Sequence, residues 1–283
     1  MSGQITEVEA RIASAGDLRE LVTAMRGVAA ARVSQGEAAL GAISTYADGV
    51  GAALSDALAL TSAAPRDPPP ATARRRGLVL LASEHGFVGA FDEPLFALAR
   101  QYAGAAPLLV IGRRGAQTAQ DSGLAPDWTA PQPSRVRAVP GAAARIATAL
   151  YRLIARHKPE GIDVIYPRPL AGGRAEAAVV SLLPLDLGRF PPRHAAVSPL
   201  TTLAPARLVE RLVQEYVVAE LSRIVMASFI GENGARLATM RAARRNIDER
   251  LETLTDEAHR LRQDDITIEL LDIVAGGAAQ TPP

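Results

Sequence analysis

The chain has 283 residues, 48% of them hydrophobic but only 4% aromatic, with a formal net charge of +1 and no cysteine. This balance excludes a polyanion-binding protein, whose basic excess shows in the total, and it excludes a disulfide framework or a thiolate metal site. Much of the apolar fraction is alanine, which suits long helices in close approach better than a broad aromatic core.

Ser2 or Thr6 can cap a first helix that runs to about Leu60. Along it Ile5, Val8, Ile12, Leu18, Val22, Met25, Ala29, Ile43, Tyr46, Val50, Leu54 and Leu58 recur mostly at three- and four-residue multiples. Gly16, Gly27, Gly36, Gly41 and Gly49 weaken such a helix unless packing compensates or backbones must approach closely. Proline-rich stretches punctuate the chain at Pro65–Pro70, at Pro126–Pro140, and from Pro184 through Pro191, Pro192 and Pro199 to Pro205. Helices lie between them, because proline inside a helix removes a donor and clashes with the preceding turn. Arg74, Arg75 and Arg76 leave the first stretch as a short basic run, open to acidic headgroups or an acidic partner.

The middle of the chain alternates. Gly77–Ala82 reads as a buried strand, Asp92–Tyr102 as a helix, Pro107–Ile111 as a strand, Ala142–Arg156 as a helix, Ile162–Tyr166 as a strand and Ala175–Leu183 as a last strand. Alternation of this kind predicts a parallel sheet with helices on its faces. From Pro205 onward an apolar register follows: Val209, Leu212, Tyr216, Ala219, Arg223, Met226, Ile230, Asn233, Leu237, Met240, Arg244, Ile247, Leu251, Leu254, Ala258, Leu261, Asp265, Ile268. Its period of about 3.5 residues is that of a supercoiled seam, and a helix of this length spans roughly 100 Å. The polar members Arg223, Asn233, Arg244 and Asp265 fix register, meet water, or face another subunit. The fold class is therefore α/β. A long antiparallel coiled coil forms from residues 1–62 and 205–276, around a central Rossmann-like domain at 74–200 with a mainly parallel sheet.

Enzyme signatures are missing: there is no phosphate-cradling P-loop, no G-x-G-x-x-G after the first strand and no nucleophile elbow. His85, His157, His194 and His259 lack ligand spacing, so no metal or cofactor is expected. Ser83-Glu84-His85-Gly86 follows the first strand, where α/β sheets bind ligands. Neighbours in sequence point apart and make no triad, so Gly86 and Gly89 are read as serving a tight turn. Ile111-Gly112-Arg113-Arg114-Gly115 reads as a solvated loop, or as an anion site at a helix N-terminus. Met1–Ala10 shows no export signal and no apolar run reaches the ~20 residues of a membrane span, which predicts a soluble, cytoplasmic chain.

Three separated stretches resemble the gamma subunit of rotary F-type ATP synthases. They are ARIASAGDLRELVTAMRGVAAARV at Ala10–Val33, SEHGFVGAFD at Ser83–Asp92, and Gly231–Ala279, where R-Q-x-x-I-T-x-E-L-x-x-I-V-x-G at Arg262–Gly276 is long and specific. The resemblance implies a non-catalytic rotor shaft inside a ring of alpha and beta subunits, coupling ion-driven rotation to three catalytic sites. It implies an epsilon subunit and a membrane c-ring as further partners, one copy per complex, and a place on the cytoplasmic face of a bacterial membrane. By matching positions, Arg262, Gln263 and Thr267 contact catalytic-subunit loops near the rotor tip. Met25, Glu232, Arg236 and Met240 match a lower contact with an acidic lever of the beta subunit. Ile266, Leu270, Leu271, Ile273 and Val274 match an apolar collar. Met25 and Met240 also fit the coiled-coil core. The central turn has Ser-Glu-His where the family usually has an Asp-Arg pair. Arg244, Arg245 and Asn246 replace small and polar residues. A housekeeping subunit and a divergent paralogue from a variant ATPase both stay open, as does the coupling ion. The rival readings are a static coiled-coil scaffold and an α/β ligand-binding enzyme dimerised by a coiled coil.

Overall fold

The computed structural model describes residues 2–61, 76–102, 107–170, 173–192 and 200–278, with 2 and 272–278 described by their backbone alone. Pro65–Pro70, Arg74, Arg75, His194, Pro199 and the side chains of Ile273 and Val274 lie outside the described residues. Helix α1 spans Ser2–Ala59 and helix α5 spans Pro205–Ala278. The chain divides into two compact units, Ala29–Ala238 and Met1–Val28 with Thr239–Pro283.

The larger unit holds a five-stranded sheet. Its elements in chain order are β1 Arg76–Leu81, α2 Asp92–Arg100, β2 Leu108–Ile111, α3 Arg113–Asp121, β3 Trp128–Ala130, α4 Val139–His157, β4 Gly161–Pro169 and β5 Ala175–Leu183. The strand order is β3-β2-β1-β4-β5, parallel except for β5, which pairs antiparallel with β4. Strand β3 was not expected from the sequence, and of the two readings of Ile111–Gly115, solvated loop or helix N-terminus, helix α3 bears out the second. Strand β3 has only three residues inside the second proline-rich stretch, too few for a periodic signal.

Side chains alternate across β1. Val79 and Leu81 face α4 and α5, where they meet Ile146, Leu150, Leu221, Val225 and Phe229. Leu78 and Leu80 face α2 and α3, against Leu95, Phe96 and Ala119. Both faces are covered, which is why the strands read as continuous apolar runs. Arg76 does not belong to a solvated basic run: its guanidinium donates to Asp163 at 2.5 and 2.6 Å and to Ser181 at 2.6 Å, across the sheet.

Within this unit α1 packs on α5 through small residues. Ala29, Gly36, Ala47 and Ala57 are buried, with Val50 and Leu54 against Tyr216 and Phe190. A Cβ on Gly36 would stand 2.6 Å from Cγ1 of Ile230, so the Ile230 side chain fills the space a larger residue would need there. Tyr46, expected in the seam, is 52% exposed, and the neighbouring Ala47 takes the buried place. The Tyr46 hydroxyl instead donates to Glu215 at 2.5 Å.

In the smaller unit the two helices again run antiparallel. Val8 and Ile12 pack on Leu254, Ala258 and Leu261. Arg19 donates to Asp248 at 2.7 Å, and Arg244 bonds both Asp248 and Thr23. Leu18 is 54% exposed because Arg19, one residue on, faces the partner helix. Among the polar seam residues, Arg223 bonds Glu220, Asn233 donates to the Phe229 carbonyl, and Arg244 crosses to α1. These three are satisfied within the chain.

Candidate functional site

The carboxyl end of β1 leads into a turn, Ser83–Ala90, and the polar groups of this edge converge there. Ser83 and Glu84 are buried while His85 is exposed, so the serine and histidine diverge. The Ser83 hydroxyl donates to Oδ2 of Asp92 at 2.5 Å and its backbone N–H to Oδ1 at 2.8 Å. Burial raises the Asp92 carboxyl above its usual range, outweighing the Ser83 hydrogen bonds that lower it. The pair closes the turn at the start of α2.

Glu84 reaches the opposite way. Its Oε2 accepts from the backbone N–H of Arg113 at 3.0 Å and of Gln132 at 2.8 Å, and its Oε1 pairs with the Arg113 guanidinium at 3.2 Å. The N-terminus of α3 therefore holds the chain's own carboxylate in the place of an external anion. The glycines there serve packing. Gly112 has φ +117°, and a Cβ on it would lie 2.4 Å from the Ala82 carbonyl oxygen; a Cβ on Gly115 would lie 2.2 Å from that of Ala82.

Helix α5 completes the site. Glu232 is 4% exposed and accepts from two successive backbone amides, Glu84 at 3.0 Å and His85 at 3.2 Å. Arg236, 7% exposed, donates to two successive carbonyls, His85 and Gly86, both at 3.3 Å. Arg236 also bonds Oε1 of Glu232 at 2.5 Å and Oδ1 of Asn233 at 3.1 Å. One turn earlier, Ser228 accepts from Nε2 of Gln132 at 2.8 Å, and the same nitrogen donates to the Ala82 carbonyl at 2.6 Å. The turn itself carries Phe87 at φ +62°, a bulky residue in the left-handed region, 66% exposed.

The tip of α5, in the smaller unit, is of another kind. Beyond Leu261 the side chains of Ile266, Leu270 and Leu271 are exposed, and no described side chain covers them. Arg262 donates to Glu9 on α1, Thr267 to the Gln263 carbonyl, and all three polar residues stand in solvent. No described helix is long and apolar enough to cross a membrane.

A family model described as ATP synthase matches residues 4–279. The chain belongs to the gamma-subunit family of F-type ATP synthases. It is similar to the ATP synthase gamma chain of Mycobacterium leprae, 27% identical over 312 residues, covering 99% of this chain and 98% of the relative. It is equally similar to that of Frankia casuarinae, 27% identical over 301 residues with the same coverage. Among solved structures the fold resembles a chain of the Euglena gracilis mitochondrial ATP synthase (OSCP/F1/c-ring), with TM-score 0.67, 14% identity, and coverage of 99% of this chain and 95% of that one. It also resembles the Tetrahymena thermophila central stalk/c-ring, with TM-score 0.56, 18% identity, and coverage of 79% and 99%. The gamma family is the central-stalk rotor subunit.

The family-matched residues fall into separate environments. Met25 and Met240 are half-buried and buried in the smaller unit. Glu232 and Arg236 turn inward to the chain's own β1–α2 turn. Arg262, Gln263, Ile266, Thr267, Leu270 and Leu271 are exposed along one end of α5. Sequence reading missed Asp92, Gln132 and Ser228, although Ser228, Glu232 and Arg236 recur every four residues, a polar stripe on a helix buried on nearly every side.

Proposed function

We propose that this chain turns inside a ring of alpha and beta subunits and couples ion-driven rotation of a membrane c-ring to the conformational cycle of the catalytic sites. The exposed tip of α5 carries the reading: its apolar residues Ile266, Leu270 and Leu271 stand in solvent beside Arg262, Gln263 and Thr267, and a surrounding collar would bury them. Ile273 and Val274 continue the same collar. Residues 1–62 and 205–276 serve as the shaft and 74–200 as the seat for the epsilon subunit and the c-ring. The assembly sits on the cytoplasmic face of the bacterial membrane, with one copy of this chain.

Each catalytic site takes the conformation that the facing surface of the shaft stabilises best, so rotation shifts the three sites in turn. Met25 and Met240 belong to the lower contact with the beta subunit. Glu232 and Arg236, matched to the same contact, turn inward and hold the turn that carries exposed Phe87. The similarity to chains of F1, central-stalk and c-ring assemblies supports F1 and the ring as partners.

The test is reconstitution. Purified chain mixed with alpha and beta subunits of the same organism is expected to co-elute as one copy per complex and to bring out ATPase activity absent from any pair. A folded chain that stays apart from the ring overturns the reading.

A further inference from the structure

Doubly wound sheets open a crevice at the carboxyl ends of their strands where the strand order reverses, and ligands ordinarily bind there. Here the reversal falls between β1 and β4. The crevice is filled by the chain's own helix. Gly231 lies so near the end of β4 that a Cβ on it would stand 3.3 Å from the Pro167 carbonyl oxygen. One residue on, Glu232 takes the two amides at the end of β1. A second glycine pair brings the β4–β5 turn against the same stretch, with a Cβ on Gly234 2.7 Å from the Gly173 carbonyl oxygen.

We propose that residues 228–236 of α5 form a clasp that occupies the ligand crevice of the sheet and fixes the sheet to α5 against twist. The chemistry differs from that of the helix seam. The hydrophobic effect that drives the seam has no direction of its own. The clasp is directional. A carboxylate on two amides and a guanidinium on two carbonyls hold the turn by four backbone atoms, and the two side chains hold each other. Glu84 extends the hold from the same turn to α3 and to Gln132, and Gln132 returns it to Ser228 on α5. Three turns at one edge of the sheet are thus tied to one helix face.

The hold also sustains Phe87 at positive φ, a conformation that persists only where surrounding structure over-determines it. Torque transmission through this clasp rests on the rotor reading above; the clasp itself does not.

Two measurements separate the two claims. In the full chain, Glu232→Gln places an amide donor against backbone donors, and Arg236→Lys removes the fork that spans two carbonyls. Hydrogen exchange at the amides of Glu84 and His85 is expected to accelerate about tenfold or more in both variants, with the amides of Leu221–Phe229 unchanged. Leu254→Ala, a core truncation in the other unit, serves as the control for general destabilisation. Exchange at Glu84 and His85 that is unchanged in the clasp variants, or accelerated equally by Leu254→Ala, overturns the clasp. In the complex with alpha and beta subunits, a bead attached to the sheet domain is expected to show about twofold wider angular fluctuation in Arg236→Lys than in wild type. Wild-type and variant beads with equal fluctuation overturn the torque role. Wild-type beads that never rotate overturn the rotor reading, and the torque role with it, while the exchange result still decides the clasp.

Discussion

Asp92 is held by burial in a state that favours its proton, although Ser83 donates to both of its oxygens. Its folded pKa therefore lies above the usual 3.8, and the folded chain binds the proton more tightly than the unfolded one. The group contributes stability below about pH 3.8 that is lost as pH rises through the folded value. Asp92→Asn keeps an acceptor for the Ser83 amide and a donor for its hydroxyl, and removes the titration. The variant is expected to gain melting temperature relative to wild type as pH rises above about 3.8, the difference levelling once pH passes the folded pKa. Parallel melting curves across that range would show that the Asp92 titration is not linked to folding. Glu84, one residue past Ser83, meets a different set of partners, two backbone amides and a guanidinium.

Helix α1 shows why glycine in a long helix has no single meaning. Gly41 has no heavy atom within 4 Å of where a Cβ would stand, whereas Gly36 has Ile230 at 2.6 Å. Both replacements gain the same intrinsic propensity, roughly 1 kcal/mol. Gly41→Ala is expected to realise most of that gain. Gly36→Ala is expected to destabilise by about 1–3 kcal/mol, because the new methyl overpacks a close helix contact. Urea unfolding of the two variants checks the sign of each. The same geometry explains the seam: where helices approach through Gly36, Ala47 and Ala57, large residues such as Tyr46 are displaced to the rim and bond there.

At the scale of the whole molecule the free chain has work left undone. The apolar residues of α5 past Leu261 are covered by no described side chain, and a lone helical end gains little from its own hydrogen bonds. In the isolated chain the amides from Ile266 to Leu271 are expected to exchange nearly as fast as those of a short free helix. On assembly with alpha and beta subunits the same amides are expected to slow by about a hundredfold. Strong protection in the isolated chain would mean that this end is stable without a collar.

The sequence by itself determined the period of the last helix, the alternation of the middle and the family, because these rest on local patterns. Spacing from Val209 to Ile268 is a property of the chain alone, and so are the apolar runs at Gly77–Ala82 and Ile162–Tyr166, whose strands lie close to where they were expected. Strand β3, too short to repeat, escaped it, and α3, whose sequence is mostly polar, was legible only as one of two readings of its N-terminus. On α1 the register put Val8, Ala29, Val50 and Leu54 on the buried face where they lie; the tertiary structure alone decided that Gly36, Ala47 and Ala57 join it while Leu18 and Tyr46 leave it, since small residues carry no hydrophobic signal. The structure alone decided that Glu84 caps α3 and that Glu232 and Arg236 close on the turn after β1. Those bonds join positions about 29 to 151 residues apart, and no local pattern specifies which buried charge meets which amide.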